Sequence, residues 1–157
     1  MTDAQRLNFS FVLPGRLAGL AWPFPRREAL DSGAFLRSQG IGLLVNLSGE
    51  AYDPQQRASL AGIELLDLPV DDFCPPEPAQ ADHLWARLGA LAPGRALALH
   101  CAAGMGRTGT LLACLLGREL GLDGPSAVAR VRQLRPGSVE TVAQEELVER
   151  WLQRGTE

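Results

Sequence analysis

Apolar and polar positions fall into blocks along the chain, and the spacing within them changes. Residues 9–12 and 16–20 are short apolar stretches broken by Pro14-Gly15, which predicts an antiparallel lead-in. Residues 26–39 have helical spacing and stop at Gly40, with Gly33 as the one weak position. Residues 41–47 are an apolar run broken only at Asn46 and include β-branched side chains, the pattern of a strand covered on both faces. A short helix is expected over 54–60, a strand over 63–68 and a helix over 78–91, followed by a turn at Pro93-Gly94. Residues 96–100 read as another short buried strand, and three helices follow, over 107–120, 125–134 and 142–153. Thr141 and Gln144 have the spacing of a capping box at the start of the last one. Pro125 falls in a first turn, where its missing N–H costs nothing, and Pro136 falls just past a helix end.

Strands alternating with helices imply one α/β domain over 1–157, with a mostly parallel central sheet flanked by helices. In such sheets ligands sit beyond the carboxyl ends of the strands, which is where His100 and Cys101 fall. A chain of 157 residues, 46% apolar and 21% charged, is long enough for a real core. The longest apolar stretch, 111–117, is far short of the ~18 residues a membrane span needs. MTDAQRLNFSF lacks a basic start with an apolar run, and RGTE carries no lipidation motif, so a soluble, cytoplasmic protein is expected.

All fifteen basic residues are arginine, and 18 acidic residues give a net charge of −3. That balance argues against nucleic acid as a partner and leaves arginine, backbone N–H groups or a metal to bind any anion. Three cysteines, Cys74, Cys101 and Cys114, are too few and odd in number for a disulfide scaffold, and suit a reducing compartment.

The segment LALHCAAGMGRTGTLLACLLG carries the chemistry. A thiol, Cys101, stands at the mouth of a strand, and Arg107 follows after Ala102, Ala103, Gly104, Met105 and Gly106. Small residues let backbone N–H groups converge on one point, and the next helix aims its positive end there. Arg107 adds a permanently charged fork suited to phosphate oxygens. A helix terminus contributes only ~0.3–2 kcal/mol, so a thiolate at Cys101 needs the loop amides, the Thr108 hydroxyl and Arg107 as well. Such a thiolate is a nucleophile toward bound phosphorus. A His-Cys-x5-Arg-Thr string with an internal glycine arises by chance on the order of once in ten thousand chains of this length.

Transfer of phosphorus to sulfur expels an oxyanion that a placed acid should protonate. The loop VDDFCPP offers Asp71 and Asp72, with prolines stiffening one end. Glu140 either serves the site or simply favours the dipole of the last helix. His100 either shapes the loop or is an ordinary buried histidine. His83 is expected at the surface, Cys114 in the core, and Trp22, Trp85 and Trp151 in packing roles. Cys74, beside the acid, is a candidate to trap oxidised Cys101 as a disulfide.

HCAAGMGRTG resembles the signature loop of the cysteine-dependent protein tyrosine phosphatases, in its dual-specificity form. NFSFVLPGRLAGLAWP, DFCPP and LRPGSVET extend the likeness to a small atypical dual-specificity member across nearly the whole chain. The resemblance implies a sheet of roughly four or five strands with helices on both sides. It implies hydrolysis of phosphotyrosine, with phosphoserine and phosphothreonine also open, through a cysteinyl-phosphate and without metal or cofactor. Position by position, it makes Cys101 the nucleophile and Arg107 the phosphoryl ligand. Thr108 steadies the departing thiolate, Asp72 is the general acid, and Glu140 helps place the hydrolytic water. The expected partner is a phosphorylated protein, with no membrane contact, and the chain is expected to be a monomer.

Other readings stay in view. Phosphoinositides and nucleotide 5′-phosphates are alternative substrates, though Ala102, Ala103 and Met105 give the loop no basic side chain besides Arg107. A phospho-binding module without catalysis would not need both the thiol and the acid. Sulfurtransferases, arsenate reductases and low-molecular-weight phosphatases share the Cys-x5-Arg spacing. They are disfavoured by a motif two-thirds along the chain with an acid loop before it.

Overall fold

In a computed structural model, the structure describes residues 1–26 and 30–155. Its elements run α1 (Asp3–Arg6), β1 (Ser10–Leu13), β2 (Leu17–Leu20), α2 (Ser32–Ser38), β3 (Ile41–Asn46), α3 (Pro54–Ser59) and β4 (Glu64–Asp67). They continue as α4 (Pro78–Ala90), β5 (Ala96–His100), α5 (Gly106–Leu120), α6 (Gly124–Leu134) and α7 (Val142–Arg154). The five strands form one sheet in the order β1-β2-β5-β3-β4, parallel except for the β1–β2 pair. The α/β expectation therefore holds, with five strands.

β5 lies in the middle, between β2 and β3, and is buried along its whole length. Because side chains alternate across a strand, Leu97 and Leu99 join one core with α4 to α7. Ala96 and Ala98 join the other, with Leu7, Phe9, Leu36 and Leu60. β3 is likewise covered on both faces, which is why its sequence shows no alternation. Of the seven helices among the described residues, α5 is the most enclosed, buried without interruption from Gly106 to Gly117. It is apolar on nearly all sides, as a helix in the middle of a core must be. Among the described residues no helix is long and apolar enough to cross a membrane.

Two details depart from expectation. The helix predicted over 26–39 begins only at Ser32, where the Asp31 side chain accepts the Ala34 N–H, and part of the predicted stretch, 27–29, lies outside the described residues. Gly33 strengthens this helix's packing, because any side chain there would run into the Ser59 carbonyl of α3. The other is α1, a single turn absent from the sequence reading, closed by a capping box between Thr2 and Gln5.

Candidate active site

The loop from β5 to α5 has an unusual division of its backbone groups. Every carbonyl from residue 101 to 106 accepts a hydrogen bond from the protein. Cys101 O accepts from His100 Nδ1 at 3.1 Å, Ala102 O from the Trp22 N–H at 2.9 Å, and Ala103 O from Asn8 Nδ2 at 3.3 Å. Gly104 O accepts from Arg135 Nη2 at 2.7 Å, Met105 O from the N–H groups of Gly109 and Val139, and Gly106 O from the Thr110 hydroxyl at 2.6 Å. Among the described residues, none accepts from the N–H groups of Ala102, Ala103, Gly104 and Met105. With its acceptors engaged and its donors free, the loop has the makings of an anion nest at the N-terminus of α5. Gly104 is needed for the turn: its φ is +77°, and a Cβ would lie 2.6 Å from the Leu20 carbonyl oxygen.

Cys101 is buried at the base of this loop and accepts a hydrogen bond from the Thr108 hydroxyl at 3.1 Å. Arg107 is also buried. Its Nη1 donates to Val70 O at 3.0 Å, its Nη2 stands 3.6 Å from Asp72 Oδ1, and its buried Nε has no acceptor. An unpaired buried donor on a guanidinium is costly, so Arg107 is poised to bond an incoming anion.

His100 is fully buried. The Cys101 carbonyl can only accept, so Nδ1 carries the proton and Nε2 accepts from the Tyr52 hydroxyl. Burial is the main force pushing the imidazole pKa down to about 4, with the Arg107 charge adding to it against the bond to Cys101 O. His100 is therefore neutral at pH 7, and its Nδ1–H ties it to the loop at Cys101 O.

The Asp72 loop approaches from the other side. Asp72, rather than Asp71, is the carboxylate that reaches Arg107; its Oδ1 also accepts the Phe73 N–H at 3.0 Å. Phe73 is exposed and held at φ +62°, a conformation that costs a bulky residue roughly 1–3 kcal/mol. α7 supplies its support: the Thr141 hydroxyl donates to Phe73 O at 3.4 Å and Gln144 Nε2 to Cys74 O at 3.2 Å. The predicted capping box is present, and the same two side chains therefore both start α7 and hold the loop.

Glu140 is brought to the site. Its N–H donates to Gln144 Oε1 at 2.8 Å, and its carboxylate lies against Gly106, where a Cβ would have to push it aside. Cys114 lies in the core, where burial pushes its thiol up to about 12, and Cys74 is exposed. All three cysteines are free thiols. His83 is exposed, Trp22 and Trp85 are half-buried, and Trp151 is buried with its indole N–H on Asp82. Among the described residues no three His, Cys, Asp or Glu side chains are grouped to hold a metal ion. A cavity of about 490 Å³ lies at the far end of α5, around Arg118 and Asp123, and holds none of these groups.

Sequence reasoning missed Asn8, Tyr52, Arg135 and Gln144 as parts of the site. Tyr52 is the chain's one tyrosine and Arg135 sits in the turn LRPG, but neither signal says what the side chain touches.

The family described as "PTP-SAK: Swiss Army Knife protein, DSP-PTPase phosphatase domain" matches residues 6–148. Tyrosine-protein phosphatase cdcA of Emericella nidulans is 34% identical over 119 residues, covering 74% of this chain and 19% of that protein. Tyrosine-protein phosphatase cdc-14 of Caenorhabditis elegans is 28% identical over 156 residues, covering 91% of this chain and 21% of that protein. The chain thus spans about a fifth of the length of these curated relatives. The crystal structure of Tk-PTP in its active form superposes with a TM-score of 0.77 at 26% identity, covering 93% of this chain and 97% of the other.

Proposed function

The chain belongs to the DSP-PTPase family of cysteine-dependent phosphatases, and from that premise we propose that it hydrolyses phosphomonoesters on protein side chains. The observation that carries the reading is the loop of residues 101–106, whose carbonyls are all engaged while its amides stand free around the Cys101 thiol. A phosphoryl group seated there takes hydrogen bonds from Ala102, Ala103, Gly104, Met105 and Gly106 N–H groups and from Arg107. The Cys101 sulfur attacks phosphorus, the P–O bond to the substrate breaks, and Asp72 gives its proton to the departing oxygen. Water then attacks the cysteinyl-phosphate, Asp72 takes the proton from it, and inorganic phosphate leaves. The sulfur departs as thiolate, steadied by the Thr108 hydroxyl 3.1 Å away. Glu140, beside Gly106, is placed to orient that water.

Phosphotyrosine is the first expected substrate, with phosphoserine and phosphothreonine also within reach. Ala102, Ala103 and Met105 add no cation to the rim, while Asp71, Asp72 and Glu140 add negative charge, which disfavours a multiply phosphorylated inositol. Residues 1–157 would act as one catalytic domain and as a monomer, without metal or cofactor. Free thiols suit the cytoplasm, and the net charge of −3 gives no reason to invoke nucleic acid or a membrane surface.

The test is a kinetic panel of phosphotyrosyl, phosphothreonyl, phosphoinositide and nucleotide 5′-phosphate esters, with Cys101→Ser as the blank. The phosphotyrosyl peptide should give the highest kcat/KM. Preference for a phosphoinositide or nucleotide would assign the alternative substrate class, and binding without turnover would leave only a phospho-binding module.

A further inference from the structure

Arg135 is a buried cation with no carboxylate paired to it among the described residues. It lies between α6 and α7, and its side chain reaches across to the far side of the signature loop. Nη2 donates to Gly104 O at 2.7 Å; Nη1 donates to Gly19 O on β2 at 2.9 Å, to Asn8 O at 2.7 Å and to Ser10 Oγ at 2.9 Å. Its Nε is buried and bonded to nothing. A structural anchor that needed only to fill space would not leave a full charge in the core, because desolvating an unpaired charge is expensive. Of the six donors that turn the loop carbonyls outward after Cys101 O, Arg135 alone is charged.

We propose that Arg135 is a positioning residue for the proposed phosphatase chemistry: its guanidinium fixes Gly104 with the carbonyl turned away from the anion, and its charge favours the thiolate form of Cys101 from behind the loop. The missing counter-ion of Arg135 is then the Cys101 sulfur and the phosphoryl group that follows it. Burial pulls the guanidinium pKa down to about 10, and the Cys101 charge opposes that fall. Arg135 stays charged at neutral pH. The other titratable and charged groups around the loop are Arg107 from α5, neutral His100 from β5, Asp72 from the loop after β4, which approaches Arg107, and Glu140 ahead of α7, which approaches Gly106; the Thr108 hydroxyl bonds the Cys101 sulfur itself. Asp72 offsets Arg107 in part through the 3.6 Å approach. Arg135 has no such offset.

This inference rests on the catalytic reading only for its purpose, since its readout is the reactivity of Cys101 and not turnover. The rate of Cys101 alkylation by iodoacetamide is followed against pH in wild type, Arg135→Gln and Arg135→Lys, with protection by inorganic phosphate measured in parallel. In Arg135→Gln the half-maximal rate should move up by about one pH unit, a roughly tenfold slower reaction on the acid side, and phosphate protection should weaken about tenfold. Arg135→Lys should restore most of the pH profile, because it keeps the charge. It should not restore phosphate protection, because it cannot hold Gly104 and Gly19 together. A folded Arg135→Gln with a lowered melting temperature but an unmoved alkylation profile would overturn the proposal, since that is what a purely structural role predicts.

A second measurement needs no variant at position 135. In 13C,15N-labelled wild type, the Arg135 Nε–H signal should shift over the pH range in which Cys101 becomes reactive, and that step should vanish in Cys101→Ser. A flat signal in wild type would also overturn the proposal. Wild type that is alkylated as predicted but releases no phosphate from any ester would defeat the phosphatase reading and leave the Arg135 assignment standing.

Discussion

Residues 101–106 and the loop of residues 69–77 meet at Arg107, and they are held by different means. The first is enclosed between a central strand and the most buried helix, with six carbonyls tied to elements from all over the chain. The second is largely exposed, carries the strained Phe73, and rests on bonds from Gln80, Arg107, Thr141 and Gln144. In the proposed mechanism the first loop binds an anion and attacks it, a task that calls for a fixed group such as this embedded one. A group that protonates a departing oxygen must let substrate in and out, and a few polar contacts can be made and broken quickly. The difference predicts that damage to the first loop removes catalysis altogether. Damage to the second should remove only the part that depends on the leaving group.

The largest effect should come from Cys101→Ser, which lowers kcat on p-nitrophenyl phosphate by at least about 10⁴-fold while phosphate-ester binding survives. Residual turnover within tenfold of wild type would place the nucleophile elsewhere. Next, Asp72→Asn should slow alkyl phosphates by roughly 10²–10⁴-fold, slow p-nitrophenyl phosphate much less, and flatten the basic limb of the pH–rate profile. If Asp71→Asn does this instead, the contrast between the two loops is misdrawn at its acid.

Thr141→Val should act more mildly. It removes the donor to Phe73 O and the cap of α7, so stability should fall by about 0.5–2 kcal/mol and turnover of poor leaving groups several-fold. Thr141→Ser should restore both. An equal loss for good and poor leaving groups would mean that α7 supports the signature loop rather than the acid.

The smallest effect on turnover belongs to His100→Asn, whose signature is in pH-dependent stability. The folded imidazole titrates at about 4, below the ordinary value of 6.5, so the unfolded chain binds its proton first on acidification. Stability from this group is complete above pH 6.5 and is lost as pH falls toward 4, on the order of 3 kcal/mol in all. Urea denaturation at pH 7 and pH 4.5 should show a smaller drop for His100→Asn than for wild type.

The embedded loop was also the more legible of the two regions in sequence. β3 and β5 are apolar up to their last residues, Asn46 and His100, and α5 is apolar from Leu111 to Leu116, because burial on all sides leaves a pattern that local reading detects. Cys101, Arg107 and Thr108 lie within eight consecutive residues, so their spacing alone brought them together. The start of α2 was placed too early because helical spacing runs through Leu30 and Asp31, and the Asp31 cap that marks the true start is not a periodic signal. α1 did carry a signal, Thr2 and Gln5 at capping-box spacing, on a helix too short to show periodicity. Asn8 and Arg135 were beyond local reading for a different reason. Asn8 bonds a residue 95 positions away and Arg135 one 31 positions away, and only the folded sheet makes them neighbours.

The account rests on a sulfur that attacks phosphorus from a fixed cradle, and rapid quenching tests that step directly. Wild type is mixed with a 32P-labelled phosphotyrosyl peptide, quenched into denaturant within milliseconds and digested. Label should appear on the peptide that contains Cys101, rise and decay within one turnover, and be absent from Cys101→Ser. Turnover by wild type with no label on that peptide at any quench time would contradict the account.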